Sequence, residues 1–456
     1  MAFAMVYALL RSRVLPDGEM NLYYTIIEIV FSFYFISLFL PKVIKTYICI
    51  ITITSIFSLY AFEIYLSFQN SQGDEKQVID RAKVFADAGV KLDQRNELQV
   101  LLDFQAAGEE ALPNFTGSTL SRLSNNYRTG LAGEYSGLYP IGGLSGKRVV
   151  LCNESGQWLT YVSDKFGFNN SPEAHEFTDR KVALVGDSFT EGYCVPREQN
   201  VAGVLSSNDL QVVNFGKGGL GPLGELAALT EYAAPIKPKV LLWMYFEKND
   251  LPHDLTTREK HTPALTRYLV DGYKQGLRSR QPAIDKALQQ IMVDYVARAK
   301  QRAQSRDISN QLDTNKFFLI LRLWHLRVIG LGLHVVTHAE EPDYSLFETV
   351  MRTARDRVAA WNGKLYFIYL PAWSRYEEQR EDDGDLYSRD TVLSIIGKLD
   401  VPIIDFHEIA ANLPDPLDIF PLRQNNHYSA DGYKLLGQQI YERLLRDRVI
   451  TPDSKQ

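Results

Sequence analysis

The chain has little of several things, and each shortage closes off a class of function. No dominant basic block accompanies its net charge of −6. Nucleic acid, whose phosphates are held by clustered Lys and Arg, is therefore not expected as a partner. No set of His, Cys, Asp and Glu falls at metal-ligand spacing, so neither a metal nor another cofactor is expected. Gly-Lys-Ser/Thr is missing and the glycines do not fit the dinucleotide fingerprint, which argues against a nucleotide phosphate loop. Cysteine is scarce, with three in 456 residues. Cys49 lies in an apolar run, which leaves Cys152 and Cys194 as the only intramolecular pair elsewhere if the compartment is oxidising. Two buried free thiols are the alternative.

Long apolar runs are absent after residue 68. Before it there are two, residues 22 to 40 and 46 to 66, interrupted only by Glu28 and Glu63. Each approaches the ~20 residues that span a bilayer, and neither places polar residues at a 3.6 period as a half-buried soluble helix would. With Pro41, Lys42 and Lys45 between them, they predict a transmembrane hairpin over 22–68. Glu28 marks either a partner-helix contact or a position snorkelling to the interface. Lys42 and Lys45 hold the short loop in the cytoplasm and place the chain beyond residue 68 outside, whereas Arg11 and Arg13 pull the other way. Residues 1 to 21 do not make a signal peptide, because those arginines follow the short apolar run. Met20 is an alternative start, and it would remove the contrary arginines.

At 456 residues and 45% hydrophobic, the chain supports one large domain with appendages. Residues 69–146 read as a connector, first as short helices and then, from Pro113 to Gly146, rich in Gly, Ser, Asn and Pro. From 147 to about 450 the pattern alternates. Strand-length apolar runs fall at 181–185, 211–214, 239–245, 364–370 and 401–405, and helical periodicity fills 223–234, 346–361 and 391–399. That rhythm predicts an α/β domain with a parallel sheet covered on both faces, with a helical insertion at about 251–342. Within the insertion, 317–333 is apolar but carries Arg322, His325 and Arg327, too polar for a third span.

Reacting groups in such a sheet gather past the carboxyl ends of the strands. The first strand runs into Gly186-Asp187-Ser188, where a tight turn and a helix start present the Ser188 hydroxyl and N–H, as a nucleophile or merely as a cap. The second ends in Asn214 and a glycine cluster through Gly221, which lets backbone N–H groups approach a ligand or simply packs tightly. The third ends in Asn249-Asp250, an amide donor for an oxyanion or an Asn-Asp turn. His427 sits in a loop just ahead of a final amphipathic helix capped by Ser429, a position suited to a general base.

Together these blocks resemble the SGNH, or GDSL, hydrolase superfamily over roughly residues 180 to 435. The resemblance implies a flavodoxin-like three-layer sandwich, with Ser188 as nucleophile and His427 as base. It makes Ser188, Gly219 (five residues after Asn214) and Asn249 the oxyanion donors. Two positions depart from the family pattern. Glu247 stands where a glycine is usual, and Gln424 stands where the aspartate that orients the histidine is usual. That leaves a Ser–His dyad, a substitute carboxylate such as Asp418, or a weakened enzyme; Asp187 is also near the nucleophile in sequence. The stretches 153–156, 163–168, 243–250 and 369–375 are similar to envelope-associated members of Gram-negative bacteria that carry an N-terminal membrane hairpin. For those members the implied partners are the membrane, an acylated or acetylated glycan and polysaccharide-assembly proteins. The implied location is the bacterial inner membrane with a periplasmic catalytic domain. The resemblance implies one of two functions: an esterase or O-acyltransferase, or a non-catalytic glycan-binding scaffold. Trp373 and Arg375, after the fourth strand, either line a sugar site or pack at the sheet edge.

Overall fold

A computed structural model describes residues 32–116, 131, 137–176, 182–308, 320–321, 323, 326, 341–377 and 388–451, without the side chains of 70–80 and 302–308. It forms two compact units. One comprises residues 1–81 and 304–339; the other comprises 82–303 and 340–456.

The first unit is dominated by helix α1 (Lys42–Asp87). Its portion Lys42–Gln69 has a mean hydropathy of 1.8 and is the one described helix long and apolar enough to cross a membrane. Ile50, Ile53, Phe57 and Phe68 are exposed along it, as lipid-facing residues would be. Of the expected hairpin, residues 22–31 and with them Glu28 lie outside the described residues, residues 32–37 are helical, and 38–40 turn. The second helix differs from the expected 46–66. It starts at Lys42 and continues past the apolar stretch to Asp87, because residues 69–87 contain no proline and are rich in helix-compatible Gln, Lys, Asp and Ala. Glu63 is buried and accepts the Leu326 N–H at 2.9 Å, while Tyr60 donates to the Leu321 carbonyl at 3.2 Å. The 317–333 stretch thus supplies backbone partners to polar side chains of α1.

In the second unit, five parallel strands form one sheet: β4 (Val182–Gly186), β5 (Val212–Asn214), β6 (Val240–Phe246), β7 (Lys364–Leu370) and β8 (Ile403–Asp405), in the order β5-β4-β6-β7-β8. Counted within this sheet the order is 2-1-3-4-5, and the direction of winding reverses beside β4. Alternation sorts its residues onto two faces. Ala183, Val185, Leu241, Trp243, Phe367 and Tyr369 pack against α5 (Pro222–Ala228), α7 (Tyr344–Ala359) and α8 (Arg389–Lys398). Val182, Leu184, Leu242, Met244, Ile368 and Ile404 pack against α4 (Val201–Ser206), α9 (Phe406–Ala410) and α10 (Ala430–Arg446). Both faces are dry, which is why these strands read as continuous apolar runs. The insertion joins this core at its start. Leu251, Leu255, Leu265 and Tyr268, then Ile284, Leu288 and Met292 of α6 (Gln281–Ile308), are buried with the first face.

Inside the expected connector, α2 (Glu97–Ala106) leads to β1 (Ala111–Pro113). β1 pairs in parallel with β2 (Arg148–Cys152), which pairs antiparallel with β3 (Leu159–Val162), making a separate three-stranded sheet.

Candidate functional site

The register of the large sheet aligns its exits. Gly186 lies opposite Met244, and Phe246 opposite Leu370, so the turns after β4, β6 and β7 leave at one rim. After Gly186, where a Cβ would meet the Thr190 side chain at 2.0 Å, the chain turns into the one-turn helix α3 (Ser188–Glu191). Asp187 caps it, its carboxylate accepting the Phe189 N–H at 2.9 Å. Capping by the neighbour leaves the Ser188 hydroxyl for another partner. A single turn has no appreciable macrodipole, so what α3 offers an anion is local N–H groups rather than the field of a long helix.

The partner of Ser188 is His427, with Nε2 2.8 Å from Oγ. At the far side of the ring, Nδ1 lies 2.9 and 3.0 Å from the two carboxylate oxygens of Glu154, and the His427 N–H donates to the same carboxylate at 2.8 Å. Phe189 and Tyr193 flank the imidazole with centroids at 4.6 and 4.7 Å. Nδ1 bonded to a carboxylate leaves Nε2 unprotonated toward the hydroxyl, the tautomer a general base requires.

Glu154 is not among the carboxylates that the sequence put forward. Asp418 instead lies 3.8 Å from Arg423, and Gln424 is exposed and reaches only the Leu422 carbonyl at 3.5 Å. Neither bonds to the ring, and between them Leu422 and Arg423 both take positive φ. Asp187 approaches the Ser188 hydroxyl at 3.4 Å but not the imidazole; its carboxyl is raised from the usual range by burial, with the Phe189 N–H the chief opposing influence. Glu154 follows the strand that ends in Cys152, and Cys152 is disulfide-bonded to Cys194, six residues past the nucleophile, with Cα atoms 5.5 Å apart. That pairing could bring residue 154 near residue 188, and 153–156 is among the stretches that carry the family resemblance, but neither gave Glu154 a role.

The glycine loop after β5 is held from beneath. Lys217, 1% exposed, donates to Glu191 at 2.8 Å, Tyr161 at 3.0 Å and Asn114 at 2.6 Å, and Glu191 accepts the Gly218 N–H at 2.7 Å. Gly219 adopts the left-handed φ of +73°, which glycine tolerates best. Its carbonyl accepts from Arg258 at 2.6 Å. Neither its N–H nor that of Ser188 donates to another described group. Glu259 takes the N–H groups of Gly221 (2.9 Å), Leu223 (2.8 Å) and Gly224 (3.3 Å), fixing the start of α5. Asn249 sits at the rim, with its amide donating to Asp254 at 2.8 Å. Burial raises the Asp254 carboxyl to about 8.

Glu247, in place of the usual glycine, is buried and binds Arg375 through Nε at 2.9 Å and the Ala372 N–H at 2.7 Å. Trp373 donates to the Arg423 carbonyl at 2.8 Å. Trp373 and Arg375 therefore brace the turn after β7, as in the sheet-edge alternative, and Arg375 has its charge matched inside the fold. Among the described residues, no three His, Cys, Asp or Glu side chains are grouped to hold a metal.

No family model matches the chain, and no curated protein matches it. Among solved structures it is similar to a lipase/acylhydrolase from Enterococcus faecalis, with 14% identity, TM-score 0.35, and coverage of 60% of this chain and 99% of the other. A member of the lipolytic protein G-D-S-L family from Veillonella parvula gives 13%, 0.29, 58% and 98% for the same measures. An acetyl xylan esterase gives 12%, 0.31, 58% and 99%. At TM-scores this low, the likeness carries no weight for the site's chemistry.

Proposed function

We propose that the chain is a membrane-anchored serine ester hydrolase or O-acyltransferase of the SGNH type, acting on acyl groups, acetyl above all, of a cell-envelope or exopolysaccharide glycan. The observation that carries the reading is the relay Ser188–His427–Glu154, with contacts of 2.8 and 2.9 Å. Ser188 Oγ attacks the ester carbonyl as His427 Nε2 takes its proton, and Glu154 stabilises the imidazolium that forms. The oxyanion is received by the N–H groups of Ser188 and Gly219, with the Asn249 amide beside them, an arrangement whose single donors commonly contribute ~10²-fold or more. Collapse returns the proton to the leaving alcohol and leaves an acyl group on Ser188. Water then completes hydrolysis, or a glycan hydroxyl completes transfer, so one site serves both.

Two features support a catalytic unit outside the cytoplasm, in the periplasm of an inner-membrane protein. Lys42 and Lys45 sit at the start of the apolar portion of α1, consistent with a cytoplasmic end there. A Cys152–Cys194 disulfide suits an oxidising compartment. The substrate class rests on the family resemblance. The scaffold reading drew on Gln424, and it weakens once Glu154 supplies a carboxylate to the ring.

Incubating the full chain in detergent with an aryl acetate and a fluorophosphonate probe tests the reading. Turnover and labelling are expected, with Ser188→Ala and His427→Ala each lowering turnover by ~10⁴-fold or more. Folded protein that neither labels nor turns over would refute the enzyme.

A further inference from the structure

The disulfide joins the two segments that hold the catalytic imidazole. On one side, Cys152 ends β2 two residues before Glu154. On the other, Cys194 follows Tyr193, whose ring lies on His427. The Glu154 carboxylate meets His427 at its ring and its backbone N–H. The side chains of His427 and Glu154 are 19% and 24% exposed, so water reaches both and competes for their bonds. The β2–β3 ladder weakens at the same place, where the register shifts between Val150 and Cys152. The turn carrying Glu154 is also tied to the segment before α2: Asn153 donates to the Asp93 carbonyl and Asp93 N–H to the Gly156 carbonyl, both at 2.7 Å. Cys194, by contrast, is buried and continues into Val195 of the core beneath the sheet. The covalent bond therefore ties a half-exposed turn to a rigid anchor next to the reacting groups.

We propose that the Cys152–Cys194 disulfide is a positioning element of the catalytic site, holding the Glu154 carboxylate where it orients His427, so that opening the bond lowers turnover through Glu154. The inference rests on the serine-esterase reading for its kinetic consequence. Misplacing a catalytic group by about 1 Å can lower a rate ~10²-fold, and a turn released from its anchor moves on that scale. Opening the bond with an added dithiol delivers two electrons and two protons to the sulfurs, leaves two thiols, and closes the dithiol into its own disulfide.

The test uses the full chain in detergent, oxidised, reduced, and as the double variant Cys152→Ser/Cys194→Ser, with aryl acetate as substrate. We expect kcat to fall about 10- to 100-fold with KM within about twofold. Glu154→Gln should then cost clearly less in the disulfide-free background than in the native one, because both changes act through the same contact. A readout independent of turnover is the downfield proton NMR signal of an imidazole N–H bonded to a carboxylate, assigned by its loss in both His427→Ala and Glu154→Gln. It should be present in the oxidised chain and lost or broadened on reduction. A disulfide that is merely structural would lower the melting temperature while leaving kcat per folded molecule unchanged. That result, an undiminished Glu154→Gln effect, or a signal that survives reduction overturns the proposal. If the signal behaves as expected but no ester is cleaved, the esterase reading fails and the positioning role stands.

Discussion

The two sheets of the catalytic unit contribute different things to the site. The five-stranded sheet is buried on both faces, and its register alone brings the turns after β4, β6 and β7 to one rim. It supplies backbone position: the nucleophile turn, the glycine loop and the Asn249 turn. The three-stranded sheet has strands of three to five residues, and β2 and β3 have partly exposed ends. It supplies side chains: Glu154 to the imidazole, and Tyr161 and, just past β1, Asn114 to the Lys217–Glu191 pair. Nucleophile and base therefore belong to one folding element, and the carboxylate that tunes them belongs to another. Orientation of the imidazole can then be lost without loss of the large sheet.

Glu154→Gln probes that division most directly. Swapping a triad carboxylate for its amide leaves shape intact but disfavours the productive tautomer, at a cost of ~10²- to 10⁴-fold in kcat. Turnover of aryl acetate should fall by that factor with KM little changed, while Asp418→Asn and Gln424→Ala stay within about twofold of the native rate. A large loss at Asp418 with none at Glu154 would return the acid to the loop before the histidine and erase the contrast between the sheets.

The Lys217–Glu191 pair tests the second link between the sheets. Both side chains are almost wholly removed from solvent, at 2% and 0% exposure. Lys217→Met leaves the Glu191 carboxylate buried without its cation, and removing one partner of such a pair costs ~3–5 kcal/mol. The expected result is a marked drop in the chemical denaturation midpoint, partly restored by adding Glu191→Gln. Arg352→Met, which breaks the pair with Glu348 at 52% and 40% exposure, should shift the midpoint by ~0–1 kcal/mol. Equal shifts would mean that the buried pair does not brace the glycine loop.

The large sheet was legible because burial on both faces writes itself as apolar runs. All five expected runs correspond to β4, β5, β6, β7 and β8, and the Ser429 cap and final helix fall where their residues indicate. Most of the small sheet was not legible. β1 is three residues long, too short for alternation to register, and it lies in a stretch read as connector. Glu154, although within the 153–156 stretch of the family resemblance, showed no role for a related reason. It acts over a sequence separation of 273 from His427, and nothing local distinguishes a turn glutamate that orients an imidazole from one that faces water. Trp373 and Arg375 fitted two readings, a sugar site and packing at the sheet edge. Residue type could not choose between them, because the pairing of Arg375 with Glu247 spans a sequence separation of 128. The length of α1 was underestimated because the apolar stretch ends near Gln69, whereas helix propensity does not.

A pH dependence is expected from the large sheet's rim. Burial raises the Asp254 carboxyl from 3.8 to about 8 even though Arg258 lies 3.0 Å away. Burial prevails because that guanidinium is shared with Glu259 and with the Gly219 carbonyl. A carboxyl whose folded value lies above its unfolded one binds more protons folded than unfolded between the two. Its contribution to stability is therefore fully present below about 4 and declines as pH rises, until it is lost above about 8. The slope within that window is at most ~1.4 kcal/mol per pH unit. Asp254→Asn removes the titration while keeping a partner for Asn249. Melting curves from pH 5 to 9 should show the native chain losing stability toward pH 8 and the variant losing less, so that the two curves diverge with rising pH in favour of the variant. A native chain that instead gains stability over this range would mean that Arg258 outweighs burial, and that the carboxylate at the Asn249 turn is ionised throughout.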